Sequence, residues 1–176
     1  MTFLFLGGIY ILNVRKMVLS SLFASLMALC SWLSISVPPV AFTLQTFGLF
    51  LSLLVLGGKW GSVSLATYLF LGIVGLPVFS GFRGGAAALL DPTGGFLWGF
   101  LVASLVYWAL ERLGKIPAMA AALLVCYGCG CWWFAQYSGG GFWVAAMTCV
   151  VPYLIPDGIK LWLAWAMSKR LRYHIT

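Results

Sequence analysis

Apolar runs separated by short polar or glycine-rich joints recur along the whole chain, and their lengths predict membrane-spanning helices. Met17 to Ile35 is the first full run; it ends at Ser36-Val37-Pro38-Pro39, where consecutive prolines favour extended backbone. Phe47 to Gly57 and Ser62 to Leu76 follow, with Gly57-Gly58-Lys59-Trp60-Gly61 as the turn between them. Phe96 to Leu110 and Ile116 to Tyr137 make the fourth and fifth spans, and Ser138-Gly139-Gly140-Gly141 ends the fifth. Trp143 to Val151 is too short to cross alone and reads as a half-helix leading into a break at Pro152 and Pro156. A sixth span then runs from about Pro156 to Met167. Thr2 to Leu12 is apolar but shorter than the ~20 residues a crossing needs, and no small-residue cleavage pattern follows it. Residues 1–16 are therefore an extension of unassigned role, 17–170 the membrane domain and 171–176 a tail.

Composition agrees. Of 176 residues 63% are hydrophobic and only 7% charged, with a mean hydropathy of +1.06, which excludes a soluble domain of ordinary make-up. The fold expected is an all-α integral membrane protein, a compact bundle of six transmembrane helices. The net charge of +7 does not indicate nucleic acid, because the basic residues sit in the joints between apolar runs, where they encode orientation. Six crossings put Arg15, Lys16, Lys59, Arg112, Lys115, Lys169, Arg170 and Arg172 on one side, and both termini are expected in the cytoplasm. The five cysteines lie in apolar segments. Cys126, Cys129 and Cys131 form a C-x-x-C-x-C run, but with His174 the single histidine and no second C-x-x-C they read as helix-packing residues, and no metal or cofactor is expected.

Asp157 and Lys160 are the charges that most need a reason, since an ionised side chain inside a span costs at least ~2.5–3.5 kcal/mol unless it faces protein or a wet cavity. They stand three residues apart on one helical face, with Asp157 in the first turn of the last helix, where the helix dipole favours a carboxylate. One reading is a structural pair that holds the last helix; the other is a ligand pocket. Two further polar elements fall on the same external side. Thr43 and Gln45 lie between the first and second spans, and Arg83 and Asp91 lie in the long non-periodic stretch Leu76 to Gly95. Their convergence favours a pocket for a small amphipathic anion, walled by Phe42, Phe79, Phe82, Trp98, Tyr153 and Trp162. With no histidine near the site, no nucleophile and base side by side and no paired carboxylates, an enzyme is not expected. There is no G-x-x-x-x-G-K-[ST] phosphate loop, so energy for transport would have to come from other proteins. Ser20, Ala24 and Ala28 form a small-residue stripe on the first span that lets another helix approach, within the chain or from a partner.

The stretches Phe42-Thr43-Leu44-Gln45-Thr46, Gly75-Leu76-Pro77-Val78-Phe79, Gly84-Gly85, Pro92-Thr93-Gly94-Gly95 with Gly99-Phe100, and Pro152 through Pro156-Asp157 to Lys160 resemble, in this order and spacing, the BioY biotin transporter family, the substrate-binding (S) components of energy-coupling-factor (ECF) transporters. The resemblance runs from about Lys16 to Lys169. It implies a six-helix component of a bacterial inner membrane that captures biotin from outside and associates with a transmembrane coupling subunit and two ATPase subunits. It implies substrate contacts by Thr43, Gln45, Ser80, Arg83, Gly84, Thr93, Tyr153, Asp157 and Lys160, and a coupling-subunit contact through Ser20, Ala24 and Ala28. Asp157 would accept a ureido N–H, and either Lys160 or Arg83 would neutralise the valerate carboxylate. The chain departs from the family pattern at Ala41, Phe96 and Ser80-Gly81-Phe82-Arg83. Another vitamin or small carboxylate is the alternative cargo, and a membrane scaffold or lipid-modifying enzyme the alternative class.

Overall fold

The computed structural model describes the backbone of residues 2–35 and 42–175, and side chains within 14–35 and 42–173. Within these residues lie seven α-helices: α1 (Thr2–Trp32), α2 (Gln45–Leu56), α3 (Gly58–Ile73), α4 (Gly94–Leu110), α5 (Lys115–Ser138), α6 (Gly141–Cys149) and α7 (Leu154–Ile175). Two two-residue strands, β1 (Ser34–Ile35) and β2 (Phe42–Thr43), pair antiparallel after α1, with Ser34 opposite Thr43. The prolines at 38 and 39, and Ala41, lie outside the described residues.

α2 is the hub. Ten of its twelve residues are buried, as befits a helix that is apolar all round, and it packs on α1, α3, α4 and α7. α7 runs parallel to it: Lys160 donates to the carbonyl of Thr43 just before α2 begins, and Arg172 donates to that of Leu54 near its end. α4 and α5 pack closely because Gly95 and Gly99 on one and Gly130 on the other have no side chain. A Cβ at Gly95 would stand 2.1 Å from Trp133, and one at Gly99 3.0 Å from the Cys126 carbonyl. Outward faces carry large apolar side chains, among them Leu22, Phe70, Leu105, Leu124 and Trp162, as lipid contact requires.

Several boundaries differ from those read in the sequence. α1 continues without a break through Arg15-Lys16, and α7 continues past residue 170, so the divisions at 16 and 170 fall inside helices. α3 begins at Gly58 rather than Ser62, because Gly57 alone, at φ +80°, makes the turn and the Glu111 carboxylate accepts from the Gly58 N–H at 2.8 Å. Pro156 does not break the last helix. It sits in the first turn of α7, where its N–H would have no helical partner anyway, and the chain instead bends at Val150 and the 3₁₀ turn Val151–Tyr153. Among the described residues three segments are long and apolar enough to cross a membrane: Val14–Trp32, Lys115–Ser138 and Gly141–Tyr173. At 12, 16 and 17 residues α2, α3 and α4 are shorter.

Candidate functional site

Helix ends from across the chain meet at one end of the bundle. The N-terminal parts of α2, α4 and α7, the middle of α5 and the C-terminal end of α6 line a cavity roofed by the segment between α3 and α4. Thr43, Gln45, Ser80, Arg83, Thr93, Tyr153, Asp157 and Lys160 all line it. Gly84 does not; its place is taken by backbone, with Leu76 O only 2.3 Å from where its Cβ would be, so glycine is needed for the loop to fold back on itself.

The deep wall is charged. Asp157 and Lys160 are each 4% exposed and pair at 2.7 Å, and the Lys160 ammonium also donates to Thr43 O at 2.7 Å and lies 3.9 Å over the Phe42 ring. Asp157 Oδ2 accepts from the Tyr127 hydroxyl at 2.6 Å. Each carboxylate oxygen thus has a protein donor, which is how a buried ion pair is made tolerable. Tyr127 was not among the residues singled out from the sequence. Its signal was there, a hydroxyl in mid-span that must find a partner, but it was hidden inside the C-x-x-C-x-C run.

Gln45 is fixed just as firmly. Its amide nitrogen donates to Ser31 Oγ (3.1 Å) and Tyr68 Oη (2.7 Å), and its carbonyl oxygen accepts from Thr43 Oγ1 (3.1 Å). Tyr68 passes the chain on by donating to Val78 O in the roof. Both amide donors are therefore engaged within the protein, and Gln45 shapes the wall.

The mouth carries the other pair. Arg83 bonds Asp91 and donates from Nε to Ser80 O at 3.1 Å, with side chains 48% and 39% exposed. Trp133 Nε1 donates to Asp91 O, and Trp32 Nε1 to Pro77 O, while Trp32 stacks on Phe82 at 5.0 Å, so the roof is pinned to both α5 and α1.

The apolar walls differ from expectation. Phe79 and Tyr153 line the cavity, joined by Phe96, Phe100, Leu123 and Tyr127, and Phe42 stacks on Tyr153 beside it. Phe82, Trp98 and Trp162 are not cavity walls but face outward, 63%, 43% and 63% exposed, because their helical or loop positions turn them to the bundle surface. Of the cysteines, Cys126 and Cys149 line the cavity as small apolar groups.

The stripe on α1 faces into the bundle. Ser20, Ala24 and Ala28 are buried within the chain, and Ser20 Oγ bonds Trp60 O on α3. Their small size serves the close packing of α1 on α2 and α3, leaving Ser21 and Ser25 as the small residues on the outward face.

Comparison with known proteins follows the same lines. The family model described as the BioY family matches residues 6–176. "Biotin transporter BioY" of Thermotoga maritima is 37% identical over 164 residues, covering 90% of this chain and 96% of that protein. "Probable biotin transporter BioY" of Pyrococcus horikoshii is also 37% identical, over 163 residues, covering 92% and 98%. Among solved structures, the S-component for biotin from an ECF-type ABC transporter superposes with a TM-score of 0.83 at 25% identity over 92% of each chain.

Proposed function

The chain belongs to the BioY family, and on that premise we propose that it is the membrane S component for high-affinity biotin uptake, capturing biotin outside and delivering it with an ATP-driven ECF module. The observation that carries the reading is the cavity itself, graded from a buried, fully hydrogen-bonded Asp157-Lys160-Tyr127 group to an exposed Arg83 at the mouth.

That grading matches a molecule with a polar head, an apolar body and a terminal charge. Asp157 keeps lone pairs toward the cavity and accepts a ureido N–H, while Phe79, Phe96, Phe100 and Tyr153 cover the ring and chain. The valerate carboxylate goes to Arg83. A second carboxylate beside Asp157 would be repelled and desolvated, whereas Arg83 is half in water and can exchange Asp91 for the ligand. Thr43, Gln45, Ser80 and Thr93 complete the wall.

Six crossings with both termini cytoplasmic follow if α6, the 3₁₀ turn and α7 count as one span. The parallel run of α2 and α7 supports this, since second and sixth crossings must point the same way. So does the partition of charge: Lys59, Arg112, Lys115, Lys169, Arg170 and Arg172 lie toward the end opposite the cavity. The protein then sits in the bacterial inner membrane, and it meets a coupling subunit and ATPase subunits without catalysing a reaction itself.

Isothermal titration of the detergent-purified chain with biotin tests the proposal. Saturable binding is expected, weakened by Asp157→Asn and by Arg83→Ala. No saturable binding by the unaltered chain, or tighter binding of another vitamin from a competing panel, overturns it.

A further inference from the structure

A second concavity, with a lining separate from that of the substrate cavity, lies between α5 and α7, lined by Ile116, Met119, Ala120, Leu161, Trp162 and Trp165. Its lining is almost wholly apolar, and Ile116 and Trp162 are 65% and 63% exposed, so it opens sideways from the bundle. One end of it is cationic. Lys115 directly precedes Ile116, and the Lys169 ammonium sits 3.4 Å over the ring of Trp165, one of the groove's own walls. α5 and α7 approach this rim from opposite chain directions, so Ile116 and Met119 descend from Lys115 as Trp165, Trp162 and Leu161 descend from Lys169. From Lys169 to Leu161 the groove is roughly 12 Å deep, at 1.5 Å per helical residue. Glu111, whose carboxylate accepts from the Gly58 N–H, lies close enough to Lys115 to attract it, and Arg172 close enough to repel it, so the rim keeps a cationic balance.

We propose that this groove is a binding site for one anionic phospholipid, its acyl chain laid between α5 and α7 and its phosphate held by Lys115 and Lys169. Charge complementarity selects this occupant. In a bilayer any apolar groove meets acyl chains, but a Lys169 ammonium held at one end of it, with Lys115 opening the facing helix at the same rim, distinguishes an anionic headgroup from a zwitterionic one, and basic pockets between helices are suited to that role. Each lysine is worth roughly a fivefold preference, from about 1 kcal/mol per cation near the surface. The tryptophans add a rigid wall and a planar face that holds the Lys169 ammonium in place. The site needs only that the chain be membrane-embedded and is independent of which substrate the cavity takes.

The full chain is reconstituted in mixed phosphatidylcholine–phosphatidylglycerol bilayers, with bromine on the acyl chains of one lipid or the other. The Trp162 contribution to fluorescence is isolated by difference against Trp162→Phe. Brominated phosphatidylglycerol is expected to quench that component severalfold more per mole than brominated phosphatidylcholine. The Lys115→Ala/Lys169→Ala variant is expected to remove the preference, and Ala120→Leu, by filling the groove, to lower quenching by both lipids. Equal quenching by the two lipids in the unaltered chain, or a preference that survives loss of both lysines, overturns the proposal. Helix content by circular dichroism and ligand binding at the substrate cavity check that each variant is folded, which separates a failed lipid site from a failed substrate assignment.

Discussion

The Tyr127 hydroxyl donates to Asp157 Oδ2 at 2.6 Å, joining the middle of α5 to the first turn of α7 while Lys160 holds the other carboxylate oxygen. Asp157 is therefore aimed at the cavity from two sides and cannot rotate to find another partner. Tyr127→Phe removes one aiming bond and leaves a buried carboxylate oxygen short of a donor. A hydrogen bond to a charged group contributes about 1.5–3 kcal/mol, so a loss of biotin affinity of about ten- to a hundredfold is expected by calorimetry. An unchanged affinity would show that Lys160 alone orients Asp157.

The two ion pairs should differ sharply in what they do for stability. Lys160→Met strands a 4% exposed carboxylate, and breaking a buried pair from one side costs about 3–5 kcal/mol. Arg83→Ala breaks a pair whose side chains are 48% and 39% exposed, worth ~0–1 kcal/mol. Thermal unfolding in detergent without ligand should rank them in that order. The Asp157→Asn/Lys160→Met double variant should regain most of the stability without regaining binding.

Arg83 should read charge and little else. Arg83→Ala is expected to weaken biotin binding while leaving biotin amide, which has no carboxylate, at its original affinity. Equal losses for both ligands would move the carboxylate contact to Lys160.

Gly130 sets the position of a cavity wall. A Cβ there would stand 2.3 Å from the Phe96 ring, so Gly130→Ala must push that ring off α5. Phe96 lines the cavity, and its displacement should lower biotin affinity with less effect on unfolding temperature. The reverse pattern would mean that the helices part and the ring stays.

The α1 stripe gives a prediction opposite to its use as a docking surface. Ala24 is 2% exposed, so Ala24→Trp overpacks the core, at a cost of typically ~1–3 kcal/mol or more, and should destabilise the isolated chain with no partner present. Ser25→Trp, on the exposed face, should leave the unfolding temperature near its original value. Loss of partner co-purification with Ser25→Trp alone would then mark the outward face of α1 as the contact.

The pattern of apolar runs determined that the chain is a helical membrane protein, because the cost of an unsatisfied backbone in hydrocarbon leaves a long apolar run little choice but helix. Asp157 and Lys160 could be picked out for the same reason, as charges that need a partner and a cavity. What local sequence does not encode is rotation about each helix axis. Ser20, Ala24 and Ala28 look the same whether they face a neighbouring helix or the lipid, and only the packing of α1 on α2 and α3 turned them inward and left Ser21 and Ser25 outside. The same freedom carried Trp98 and Trp162 to the surface and brought Tyr127, thirty residues away in the chain, onto Asp157. In a chain rich in aromatic and small residues on every face, apolar periodicity is too weak to choose a side, and the close approach of α4 to α5 and of α7 to α2 made that choice.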